Sequence, residues 1–223
     1  MPGGTHSIAR EVLEGFAALS TATVHEAADK RGALPAAIRP LAPGMRLCGP
    51  ALTVSCLPGD NLMLHAAVAA ASPGDILVAT VGGEWDRGYW GEILAVGGRA
   101  RGVAGLVLDG CVRDAGPLRA LGFPVFCRGL SIRGTTKVGA GSIRRPLAVG
   151  EVTVHPGDLV LGDEDGVVVV PAAEAPAILE KARAREAWEE RLKADLAAGR
   201  LTIDLLGLRE ILRQKGVDPG PPT

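Results

Sequence analysis

Three residues offer the most direct chemistry in this 223-residue sequence: Glu92, Arg113 and Asp114. Twenty residues separate Glu92 from Arg113, and Asp114 follows at once. Arginine presents a planar fork that can give a carboxylate two parallel hydrogen bonds. Carboxylates are hard oxygen ligands, and Mg2+ needs only one or two of them because it keeps water or substrate in its other positions. Acid, arginine and acid together therefore suit a small anionic substrate gripped beside a divalent cation. Taken singly, each has a plainer role. Glu92 in an opening helical turn is favourable charge placement. Arg113-Asp114 would serve as a surface pair or an N-cap, and Asp109 before Gly110 reads as a turn residue.

The elements around these residues make their meeting plausible on topological grounds. Ile8, Val12, Phe16 and Leu19 recur at helical spacing, and Ser20 or Thr21 is placed to cap a second short helix through Ala28. Gly32 to Gly44 reads as an extended loop. Strands are expected over Gly49 to Leu57, Asp75 to Val81, Gly105 to Asp109 and Pro124 to Arg128. Helices are expected between them over Asn61 to Ala71, Trp90 to Gly98 and Ala115 to Leu121. This alternation implies parallel strands with crossover helices. In open sheets of that kind ligands bind at the carboxyl ends of the strands, so Glu92 and the Arg113-Asp114 pair should reach the same rim. After a long loop from Leu130 to Gly150, Glu151 to Val154, Asp158 to Gly162 and Gly166 to Pro171 read as an antiparallel unit. A charged helix over Ala172 to Ala198, a short one over Ile203 to Gln214 and a frayed end from Pro219 complete the expectation. The fold class is α/β, a single domain over 1–223 with a central mixed sheet flanked by helices and a helical tail.

Composition narrows the function. Hydrophobic residues make up 47% of the chain but aromatics only 3%, as expected for a buried sheet built from Val, Leu, Ile and Ala. A formal net charge of −1 gives no broad attraction to nucleic acid or to an anionic membrane, and neither is an expected partner. No basic-then-apolar leader and no run long enough to span a bilayer is visible, so the expected location is the cytoplasm. Cys48, Cys56, Cys111 and Cys127 form no CxxC pair and read as small apolar residues. His6, His25, His65 and His155 lack zinc-ligand spacing. Lys137 is the one lysine in a loop suited to Schiff-base chemistry, and nothing in its surroundings suggests the desolvation such a lysine needs.

The Glu92, Arg113 and Asp114 spacing resembles that of the 4-hydroxy-4-methyl-2-oxoglutarate aldolase and oxaloacetate decarboxylase family, which shares its fold with the RraA-type regulators of ribonuclease activity. Cys48-Gly49-Pro50-Ala51, Ser72-Pro73-Gly74-Asp75 and the stretch from Asp163 to Pro171 extend the resemblance over about residues 21–198. The resemblance implies a swivelling β/β/α, RraA-like domain and a trimer or hexamer with sites near subunit contacts. It implies that Asp114 binds the cation directly and that Glu92 holds it through water. Arg113 and the backbone from Gly91 through Glu92, Ile93 and Leu94 would take the pyruvyl carboxylate. The family's best-known aldolases carry aspartate where this chain has Glu92. The implied activity is a carbon–carbon lyase that uses Mg2+ or Mn2+ to release pyruvate from a small 2-oxo acid. The chemistry is consistent: a cation chelated by the 2-oxo acid stabilises the enolate left by either retro-aldol cleavage or decarboxylation. The alternative is a protein-binding regulator of ribonuclease activity without catalysis. A methyltransferase finds no support, since no Gly-rich loop follows a first strand.

Overall fold

The computed structural model describes residues 8–218 and 220. Helices α1 (Arg10–Ala17) and α2 (Thr21–Ala27) are separated where Ser20 turns extended, and its hydroxyl accepts the Thr23 amide at 3.1 Å. A buried Asp163 carboxylate ties the start of α2 to the rest of the fold, accepting the Thr21 amide at 2.8 Å and its hydroxyl at 2.6 Å. The loop that follows contains a short strand, β1 (Arg39–Pro40). Then come β2 (Leu47–Ser55), α3 (Leu62–Ala70), β3 (Ile76–Thr80), β4 (Gly88–Trp90), α4 (Glu92–Ala100), β5 (Gly105–Val112), α5 (Ala115–Leu121) and β6 (Val125–Leu130). The remainder is β7 (Ser142–Ile143), β8 (Leu147–Val149), β9 (Val152–Val154), β10 (Leu159–Asp163), β11 (Gly166–Val170), α6 (Ala175–Ala197), α7 (Thr202–Leu205) and α8 (Leu208–Gln214).

The main sheet runs β1-β6-β5-β3-β2-β10-β11, with β4 alongside β5 and β7 alongside β2. Its centre, β2-β3-β5-β6, is parallel, and β1, β10 and β11 join antiparallel, so the sheet is mixed as expected. The sequence Ile76-Leu77-Val78-Ala79 is wholly buried because a central parallel strand is covered on both faces. The chain between α2 and β1 pairs with β11 through Leu34 and Gly32, while β1 pairs with β6. These two contacts bring the ends of the sheet close to closure.

Three apolar clusters fill the molecule. One lies under α3, α4 and α5 and contains Tyr89, Trp90, Leu106 and Leu108. A second, inside the curved sheet, contains Val78, Val107, Phe126 and Val160. The third joins α1, α2 and α6 to β10 and β11.

Several expectations need correction. Trp90 does not open a helix: it ends β4, is fully buried, and pairs with Val112 before α4 begins at Glu92. Burial of Tyr89 and Trp90 draws that segment into the sheet. Asp109-Gly110 is no turn, since β5 continues through it to Val112 with a register shift between Leu108 and Cys111. The strand persists because its backbone is laddered to its neighbours, Asp109 opposite Thr80 of β3 and Cys111 opposite Gly129 of β6, and Asp109 also pairs with Arg128 on β6 at 2.6 Å. The expected antiparallel unit divides: β8 and β9 form their own hairpin, whereas β10 pairs with β2 in the main sheet. The last helix is likewise split at Gly207, where φ is 66°. The fraying expected from Pro219 falls mainly outside the described residues.

Candidate active site

Strand β5 ends at Val112 and delivers Arg113 and Asp114 onto the rim of the sheet. Asp114 then adopts a left-handed backbone, φ 58° and ψ 42°, a conformation that aspartate tolerates better than most residues. Its position is the N-cap of α5, yet its side chain makes no capping bond there. The carboxylate turns to the neighbouring helix instead, and Oδ2 accepts the backbone amide of Glu92 at 3.1 Å. Arg113 Nε lies 3.7 Å from the same oxygen. Oδ1 takes no hydrogen bond from the described residues.

Close approach of β4 and β5 requires two glycines. A Cβ on Gly91 would stand 2.3 Å from Asp114 Oδ2, and one on Gly88 would stand 2.8 Å from Arg113 Cβ. Gly91 has an extended backbone, so it is space that demands glycine there. The consequence is that the N-terminus of α4, with its unpaired amides and positive dipole end, lies directly against the Asp114 carboxylate.

A cavity of about 260 Å3 opens at this point, lined by Gly91, Ile93, Leu94, Arg113 and Asp114 on one side and Asn61, His65, Thr135 and Lys137 on the other. A second depression of about 400 Å3 adjoins it across Arg113 and Asp114, walled by Leu130, Ser131 and Ile132. The structure thus gathers Gly91, Ile93, Leu94, Arg113 and Asp114, which the sequence had nominated. Glu92 contributes its backbone amide to Asp114, but its side chain is exposed and is not part of the cavity wall. The polar wall from Asn61 to Lys137 went unrecognised as a unit. A polar residue opening the Ala-rich helix, with a histidine one turn later, was the available signal.

That wall is held rigidly. Buried Asp60 accepts the Thr136 hydroxyl at 2.7 Å, the Val138 amide at 2.7 Å, the Gly139 amide at 3.1 Å and the Leu62 amide at 2.8 Å. Burial alone would raise its pKa, but these donors outweigh it and hold the group at about 2. Asn61 donates from Nδ2 to the Tyr89 carbonyl at 2.8 Å, while its Oδ1 and His65 Nε2 are buried without a protein partner. Burial and then the nearby Lys137 charge lower the His65 pKa.

A larger cleft, about 490 Å3, is lined by Lys30, Arg31, Glu151, Thr153 and Asp158. Its chemistry is largely committed: Arg31 pairs with Glu174 at 2.8 Å, and Asp158 accepts the His155 and Ala172 amides.

No group of three or more His, Cys, Asp or Glu side chains with metal-site geometry exists among the described residues. A Mg2+-type site needs no such group, only one carboxylate and free positions for water and substrate. Asp114, with Oδ1 uncommitted beside a cavity, fits such a cation.

The fold and the rim together define an α/β protein in which the N-terminus of a helix faces an Arg-Asp pair. The family model described as RraA-like, Aldolase/RraA, matches residues 21–169, and this chain belongs to that family. A relative from Halalkalibacterium halodurans bearing the name "Putative 4-hydroxy-4-methyl-2-oxoglutarate aldolase" is 38% identical over 81% of this chain and 86% of its own length. Among solved structures, an uncharacterized protein from Pseudomonas syringae pv. tomato has a TM-score of 0.82 at 31% identity, covering 90% of this chain and 95% of that one. Streptomyces coelicolor RraAS2, described as an unusual member of the RNase ES inhibitor RraA protein family, has a TM-score of 0.75 at 32% identity, covering 84% and 98%.

Proposed function

We propose that the protein is a divalent-metal-dependent lyase that cleaves a carbon–carbon bond in a small 2-oxo acid and releases pyruvate. The observation that carries this reading is the Asp114 carboxylate, turned from its own helix to the α4 N-terminus, with Arg113 in the same cavity wall. The similarity to the Halalkalibacterium relative supports the aldolase chemistry.

In this reading Asp114 is the direct ligand of Mg2+ or Mn2+, and Glu92 acts through a water. A cation held by Asp114 would supply Lewis-acid polarisation of the substrate keto group, chemistry that serves both retro-aldol cleavage and oxaloacetate decarboxylation. Arg113 binds the carboxylate next to that keto group, assisted by the amides of Ile93 and Leu94 at the positive end of α4. The Glu92 amide keeps the Asp114 carboxylate oriented. Neither of the two reactions requires a covalent lysine. The test is pyruvate release from oxaloacetate and from 4-hydroxy-4-methyl-2-oxoglutarate. Activity lost in EDTA and restored by Mg2+ or Mn2+ supports the assignment; full activity in chelator refutes it.

A second reading, a docking regulator of a ribonuclease, is favoured by the likeness to RraAS2. It requires no turnover, so absence of lyase activity combined with inhibition of a ribonuclease would select it.

We also propose self-association into a trimer or hexamer. Ile93, Ile132 and Val138, on the segments that build the cavity, are 79%, 95% and 86% exposed, and such apolar exposure near one place suits a contact surface.

A further inference from the structure

The cavity beside Asp114 contains a cation that the lyase chemistry leaves unused. Its lining includes one acid, Asp114, and two long basic side chains, Arg113 and Lys137. Arg113 has Asp114 beside it. No acid among the described residues forms an ion pair with Lys137, and Asp60, which holds the amides of Val138 and Gly139 beside it, already accepts four hydrogen bonds.

Lys137 is also unusually well placed for a residue of a long loop. Thr136 donates its amide to the Gly59 carbonyl at 2.9 Å and accepts the Asn61 amide at 3.1 Å. On the other side, Val138 and Gly139 donate to Asp60. Both neighbours of Lys137 are thus fastened to the start of α3, and binding has only the lysine stem left to order. On the wall of Asn61, His65, Thr135 and Lys137, Lys137 is the one lysine or arginine. Schiff-base chemistry does not suit it, because the side chain is exposed and lacks apolar enclosure.

We propose that Lys137 is the specificity-determining residue for the second carboxylate of a 2-oxo diacid. Arg113 and the α4 amides take the carboxylate beside the keto group, and Lys137 takes the distal one. This assignment rests on the lyase reading above. A cavity of about 260 Å3 offers roughly the space of nine water molecules, enough for a short diacid between the two bases. A 2-oxo monoacid leaves the Lys137 ammonium without its partner, which is how a charged site discriminates against a ligand lacking the matching group.

The experiment is titration calorimetry in Mg2+ with two uncleaved ligands, 2-oxoglutarate and 2-oxobutyrate, on wild type, Lys137→Gln and Lys137→Arg. Wild type should prefer the diacid, and Lys137→Gln should reduce the diacid-to-monoacid affinity ratio by about tenfold or more. Lys137→Arg, which keeps the charge, should retain most of the ratio. An unchanged ratio in Lys137→Gln, or no preference in wild type, overturns the assignment. Pyruvate release from oxaloacetate is measured on the same wild-type preparation. Its absence removes the lyase reading, while the calorimetric ratio still decides the role of Lys137. Failure of wild type to bind either acid overturns both.

Discussion

Asp114 combines a costly backbone with an unused cap. A non-glycine residue at φ 58° is uncommon, and the usual structural return, an N-cap bond to its own helix, is not made. Asn tolerates the same backbone, so Asp114→Asn removes charge without changing the turn. Under the proposed lyase reading, in which Asp114 would hold the cation, its kcat/KM should fall by on the order of a thousandfold or more, several kcal/mol of transition-state stabilisation. Mn2+ titration should show weakened metal binding and thermal denaturation a nearly unchanged fold; normal turnover would reduce Asp114 to a cap for α4. Arg113→Lys keeps charge but loses the fork, and should weaken pyruvate binding by about 1.5–3 kcal/mol while metal affinity stays near wild type. The thiols supply a separate check. Cys56 and Cys127 are buried as expected, and burial pushes them to about 12 and about 11. Both should resist alkylation at pH 8 until the protein unfolds, as mass spectrometry of the labelled chain would reveal.

At the scale of elements, the site depends on how closely β4 and the start of α4 approach the end of β5. Gly91→Ala places a methyl group 2.3 Å from Asp114 Oδ2, closer than packing permits, and the partly exposed carboxylate is the group able to move. Activity should drop by about tenfold or more, with a stability change of about 0.5 kcal/mol or less, since the displaced group is near the surface. Retained activity would mean that the carboxylate position beside Gly91 is dispensable. The link from α3 to the 136–139 loop carries a pH dependence of known sign. Asp60 is held at about 2, below its ordinary value of 3.8. Its contribution is therefore complete above pH ~4 and disappears as pH falls through the folded value near 2. Chemical denaturation across that window should lose less stability on acidification in Asp60→Asn than in wild type.

For the whole molecule, the exposed Ile93, Ile132 and Val138 lead to an expected trimer or hexamer in light scattering. Ile132→Glu should shift the population toward smaller species and lower activity with it. An active wild-type monomer would disconnect these side chains from assembly. No described helix is long and apolar enough to cross a membrane, in keeping with the short apolar runs of the sequence.

Local pattern alone determined much of this protein. Helical spacing and the Ser20 cap located α1 and α2 within a few residues, and an Ala-rich run between turns and the strand-helix alternation located α3 and α5, because these are local properties of the chain. The alternation of elements implied the parallel centre of the sheet, and the Glu92, Arg113 and Asp114 spacing nominated one rim. Tertiary structure decided the rest. Only contact with β5 turns Gly88-Tyr89-Trp90 into a strand, and pairing of β5 with its neighbours on both sides, Thr80 opposite Asp109 among them, keeps Asp109 out of a turn. The wall of Asn61, His65 and Lys137 joins residues up to 76 positions apart. No local periodicity encodes that meeting. It arises from Asp60, whose buried carboxylate gathers amides and a hydroxyl from a distant loop, because a charge removed from water requires donors wherever the fold can supply them.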